Sequence, residues 1–209
     1  MKLNKIFMSL AVVALLFASC DDTKKKEAEA KAEAEKMEME AKMKADEEAK
    51  AMEMEKMEME KNSIASKAMS NPTYSTLATA LKQAGLAETF MEPGEYTVFA
   101  PTNDAFAKVP KATMDNLMKP ENKEQLQGLL KYHVVKGTWK ADAVVKAIND
   151  NNNAYQVTTL AGENITLSLK DGKVMIKTAN GQMATVADAD MEASNGIIHG
   201  IDKVLMQKK

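Results

Sequence analysis

Glu95-Tyr96-Thr97-Val98-Phe99-Ala100-Pro101-Thr102-Asn103-Asp104-Ala105-Phe106 carries a strand, its stop and the start of a helix. The run up to Ala100 is short, aromatic and β-branched, and so reads as a buried strand. Pro101 cannot donate to a ladder and closes it. Thr102-Asn103-Asp104 then supplies the short polar side chains that cap a helix, ahead of Ala105-Phe106-Ala107. Upstream, Tyr74 to Ala84 puts Leu77, Ala78, Leu81 and Ala84 on one helical face and stops at Gly85. Downstream, Pro110 to Met118, Glu121 to His133 and Ala141 to Ile148 read as further helices. The last third alternates in strand fashion. Ile165 to Leu169 and Val174 to Ile176 flank the Asp171-Gly172 turn, and Asn180-Gly181 turns into Met183 to Ala187. Gly196 to Leu205 closes the chain as another buried strand. Helices come early and strands late, which predicts an α+β domain.

Three stretches carry a family resemblance. Tyr96 to Phe106 resembles the first signature of fasciclin domains. Leu130-Lys131-Tyr132-His133-Val134-Val135 resembles their central Tyr-His motif. Asn195-Gly196-Ile197-Ile198-His199-Gly200-Ile201-Asp202-Lys203-Val204-Leu205 resembles their closing signature. The three stand in the family's order and spacing, and the domain is expected over residues 70–207. The resemblance implies a β-wedge of about seven strands with α-helices packed against it. It also implies a cell-surface or extracellular module for adhesion to a protein or polysaccharide ligand, without catalysis or cofactor. Its structural motif residues are Asn103, Asp104, Tyr132, His133, Asn195 and His199, with His133 tied to Asn103 or Asp104.

The first residues address the chain. Lys2 and Lys5 precede the apolar run Ile6 to Phe17, and Ala18-Ser19-Cys20 follows. A basic start, a short apolar core and small residues make a secretory signal over residues 1–19. The run falls short of the roughly 20 apolar residues of a spanning helix. Phe17-Ala18-Ser19-Cys20 resembles the lipobox of bacterial lipoproteins, which makes Cys20 the lipid attachment site and the membrane a partner. Phe17 stands where that motif usually has leucine. The expected location is the outer membrane, facing the periplasm or the surface.

Residues 20–62 form a Lys/Glu/Met/Ala-rich tether. These are strong helix formers, and Glu27–Lys31, Glu38–Lys42, Glu40–Lys44 and Asp46–Lys50 are i,i+4 pairs. Fully helical, such a segment spans roughly 60 Å. Its best apolar stripe is Ala30, Ala34, Met37, Ala41, Ala45, Ala49 and Met52. That spacing averages about 3.67 residues and departs from the left-handed heptad, so a solvated spacer is expected ahead of a coiled coil. The methionines also suit copper(I) or an oxidant sink, though no His or Cys stands beside them to support a metal.

All 28 basic residues are lysine, the net charge is −2, and the arginine fork that reads phosphates and guanine edges is absent. No nucleic-acid partner is therefore expected. Cys20 is the single cysteine, so no disulfide forms within the chain and no cysteine-based zinc cage is built. His133 and His199 lack a neighbouring nucleophile motif and read as hydrogen-bonded core residues. Asp188, Asp190 and Glu192 resemble a calcium loop only faintly, because Ala193 occupies the place of its glycine; a solvent-facing strand explains them more simply, and no metal is expected. Trp139 reads as core, with a surface anchor as the alternative. The function expected is a membrane-anchored binding module of monomeric domain. The alternative is a periplasmic structural or stress-related envelope lipoprotein.

Overall fold

The structure, a computed structural model, describes residues 23–207, with side-chain surroundings from residue 31. The signal segment and Cys20 lie outside the described residues. By its contacts the chain divides into two units between Met52 and Glu53. Helix α1 runs Thr23–Lys61. Its residues from 31 to 58 are exposed throughout, as a helix of alternating charge and small or flexible side chains should be.

The second unit continues with α2 (Ile64–Ser70), a 3-10 turn (Pro72–Tyr74), α3 (Ser75–Ala84), β1 (Tyr96–Pro101), α4 (Asn103–Ala107) and α5 (Lys111–Leu117). A second 3-10 turn (Pro120–Asn122), α6 (Lys123–Tyr132), β2 (Val134–Lys136) and α7 (Ala141–Asp150) follow. The chain then runs through β3 (Tyr155–Thr158), β4 (Asn164–Lys170), β5 (Lys173–Lys177), β6 (Met183–Ala193) and β7 (Gly196–Ile201). This is the expected α+β architecture: a seven-stranded, barrel-like sheet with helices against it, ordered β2-β1-β7-β6-β5-β4-β3.

β1 and β7 pair in parallel, from Tyr96 beside Gly196 to Pro101 beside Ile201. The other strand pairs are antiparallel. Both of these strands are buried on both faces, so their sequences run apolar without alternation. Successive residues feed two cores. Val98 and Ile198 meet Leu77, Leu81, Phe90, Leu126 and Leu130. Phe99 and Ile201 meet Tyr132, Ile148, Ile165, Ile176 and Leu205.

Several expectations shift. The core begins at Ile64, ahead of the boundary placed at residue 70, because Ile64, Ala65 and Ala68 of α2 are buried with Ser63 as its N-cap. β2 and β3 are too short to announce themselves. β6 runs on to Ala193, with register breaks at Asp188 and before Met191. The closing strand stops at Ile201, and Val204 and Leu205 enter the core from an irregular segment.

Candidate ligand groove and the buried polar pins behind it

His133, Asn195, His199 and Thr97 are buried polar residues, and each is anchored to backbone. His133 caps the end of α6. The Leu205 N–H donates to its Nε2 at 2.9 Å, so Nδ1 carries the proton and donates to the Leu129 carbonyl at 2.7 Å. Complete burial pushes its pKa down to about 4. The expected link to Asn103 or Asp104 does not form, since both ring nitrogens are engaged elsewhere. Asn103 instead accepts from the Thr76 N–H at 3.0 Å and donates to the Pro72 carbonyl at 2.8 Å. That ties the start of α4 to the start of α3. Asp104 is exposed in the first turn of α4, whose cap is Thr102. Tyr132 is buried, and its hydroxyl accepts from the Ala179 N–H at 3.3 Å. Desolvation raises its pKa.

Asn195 clamps two segments to the start of β7. Its carbonyl accepts from the Ile64 N–H at 2.8 Å, at the start of α2. Its amide donates to the Phe90 and Glu92 carbonyls at 2.8 and 2.9 Å. Gly196 follows at φ +152°, where a Cβ would run into the Tyr96 carbonyl.

Thr97 and His199 position the turn that leaves β2. The Thr97 hydroxyl donates to the Gly137 carbonyl at 2.7 Å and accepts from the Trp139 N–H at 2.9 Å. The His199 Nε2–H donates to the Trp139 carbonyl at 2.8 Å, while Nδ1 accepts from the Asp190 N–H at 3.2 Å. Burial lowers the His199 pKa against the opposing pull of the Trp139 carbonyl and of Asp190. Asp190 sits at a break in β6 register, at φ +58°, and its carboxylate accepts from the Ala141 N–H at 2.7 Å, capping α7. Glu192 pairs with Lys140 at 2.7 Å. Asp190 and Glu192, two of the three carboxylates that faintly resemble a calcium loop, thus hold the start of α7. Among the described residues no group of three or more His, Cys, Asp or Glu is arranged to hold a metal ion.

The turn delivers Trp139 to a groove. β2 and β3 end the sheet at opposite sides and meet at one bridge, Val135 with Thr159, where the Leu160 N–H reaches the Val134 carbonyl at 2.7 Å. Away from the bridge they leave an opening of about 500 Å³ lined by Val135, Lys136, Trp139, Tyr155, Val157 and Thr158. Trp139 is half-buried rather than core. Its ring lies 5.7 Å from that of Tyr155 at 54°, and its Nε1–H donates to the Lys136 carbonyl at 3.1 Å. A volume of this size lies within the range of small-ligand sites. An aromatic pair beside hydroxyl and amide groups suits a ligand with one apolar face and several polar edges. The sequence singled out Trp139 and His199 separately. It gave no sign of Thr97 or Tyr155, because only the sheet brings them to the same turn.

The chain resembles known proteins over this same region. The fasciclin domain model matches residues 72–207. Protein sll1483 of Synechocystis is 45% identical over 144 residues, spanning 69% of this chain and 73% of the relative. The cell surface glycolipoprotein MPB83 of Mycobacterium bovis is 32% identical over 151 residues, 70% of this chain and 61% of its own. Among solved structures, the FAS1 domain pair of the insect cell adhesion molecule Fasciclin I superimposes with a TM-score of 0.63 at 19% identity, over 70% of this chain and 51% of the other. With its parallel β1–β7 pair, its buried Tyr-His motif and a domain match covering most of its length, the chain belongs to the fasciclin-domain family.

Proposed function

We propose that the protein is an extracytoplasmic, membrane-anchored binding module without catalytic activity, taking a protein or polysaccharide ligand in the β2–β3 groove. The observation that carries this reading is the built groove: Trp139 against Tyr155, on a turn fixed from behind by Thr97 and His199. Both imidazoles have both ring nitrogens on backbone groups, which suits pins better than a catalytic base. Anchoring through a lipid on Cys20 is supported by the lipobox-like Phe17 to Cys20 and by the likeness to a relative named as a cell surface glycolipoprotein.

Trp139 is the single tryptophan, so its fluorescence reports on the groove directly. A panel of polysaccharides and envelope or matrix proteins is titrated against that signal, with Trp139→Phe and Tyr155→Ala compared by calorimetry. Saturable binding weakened tenfold or more by Tyr155→Ala supports the groove. Binding that both variants leave intact moves the ligand to another face. Protease shaving of intact cells separates a surface adhesin, which is lost, from a periplasmic envelope protein, which is protected.

A further inference from the structure

Methionine is ordinarily a core residue. On α1 six of the seven are exposed: Met37, Met39, Met43, Met52, Met54 and Met57 are 62–71% exposed, and Met59 is partly buried. Their arrangement says what they are not for. Residues two apart on a helix point about 200° apart around its axis. Met37 and Met39 therefore face opposite sides, and so do Met52 and Met54, yet all four are equally open to solvent. A stripe that packed on a partner helix would gather them on one face. A thioether metal site would gather three or more within a turn, and here the closest same-side neighbours are pairs, Met39 with Met43 and Met54 with Met57. Helix formation does not call for sulfur either, since leucine and methionine have similar propensities. What remains distinctive is a set of reactive thioethers presented on two opposite sides of a solvated rod, Met39, Met43, Met54 and Met57 on one and Met37 and Met52 on the other.

We propose that α1 is a reversible sink for two-electron oxidants such as hydrogen peroxide. The sulfur lone pair attacks one peroxide oxygen and the O–O bond breaks. That oxygen ends on sulfur as methionine sulfoxide, the other leaves as water, sulfur is oxidised by two electrons and peroxide reduced by two. Oxidation turns a flexible apolar side chain into a polar one, which disrupts a packed core but has no packing to disrupt here. The modification is reversed by methionine sulfoxide reductases. The placement separates the sacrificial sulfurs from those the fold depends on: Met69, Met91, Met114, Met118, Met191 and Met206 are packed against the core of the second unit.

The full chain is treated with hydrogen peroxide at six equivalents or fewer, and each methionine is followed by peptide mass spectrometry. The six exposed helix methionines are expected to oxidise at the rate of free methionine, and the core-packed ones at least tenfold more slowly. The Tm read from Trp139 fluorescence should stay unchanged, and the reductase pair should restore the original mass. A variant with all six replaced by leucine should show severalfold more oxidation of the core-packed methionines at the same dose. Helix methionines oxidising no faster than core-packed ones would overturn the proposal. So would a Tm that falls in step with helix oxidation, or a leucine variant whose domain is oxidised no more than the parent's.

Discussion

A buried polar side chain stabilises only when its partners are in place, and His133 and Asn195 show how specific those partners are. His133→Ala leaves the Leu205 N–H and the Leu129 carbonyl unpaired and opens a cavity, at a cost of about 2–4 kcal/mol by thermal melting. Its titration adds a pH signature. The folded pKa of about 4 lies below the ordinary histidine value of 6.5, so the unfolded chain takes up the proton first as pH falls. The stabilisation is complete above pH 6.5 and is lost as pH falls through about 4. That loss is roughly 3 kcal/mol, and the variant should lack this part of the pH dependence. His199, depressed in the same direction, acts with the same sign. Asn195→Asp keeps the acceptor for Ile64 but turns a carboxylate on two carbonyls, so it should destabilise at least as much as Asn195→Ala, by about 2–4 kcal/mol in denaturant melts. The sequence marked these residues as structural. It could not give their partners, because Leu205, Ile64 and Phe90 are brought to them only by folding.

At the scale of the element, legibility followed amphipathic strength. α3, α6 and α7 have clear apolar faces, and their positions were readable to within a few residues. α2 has seven residues between a charged tether and a proline, and its burial depends on a clamp from Asn195. A chain beginning at Glu53 should therefore melt within a few degrees of the full protein. One beginning at Asn71 strips Ile64, Ala65 and Ala68 from the core and leaves the Asn195 side-chain carbonyl without its Ile64 partner, and should lose several kcal/mol or fail to fold. Circular dichroism melts of the two truncations check this. β2 and β3 were missed for a related reason: strands of three and four residues are recognisable only by their partners. The groove between them was invisible with them.

Over the whole molecule, the two units answer heat differently. The parallel β1–β7 pair joins residues about a hundred positions apart, so the second unit has a cooperative, long-range core. The helix from residue 31 to 58 buries no side chain and rests on propensity and i,i+4 pairs such as Lys42 with Glu38. Trp139 fluorescence should show one sharp transition, while ellipticity at 222 nm adds a broad, gradual loss from α1. Coincident sharp melts by both probes would mean that α1 is held by tertiary or intermolecular packing. The amino-acid sequence by itself determined the α+β class, the family signatures, the helical tether and the buried status of β1 and β7. Those depend on local propensity, periodicity and motif spacing, which are written along the chain. Only the tertiary structure decided that His133 reaches Leu205 rather than Asn103, that the core starts at Ile64, and that Thr97 and His199 fix the turn whose Trp139 meets Tyr155 in the groove. Those are meetings of residues far apart in sequence, fixed by sheet order and register.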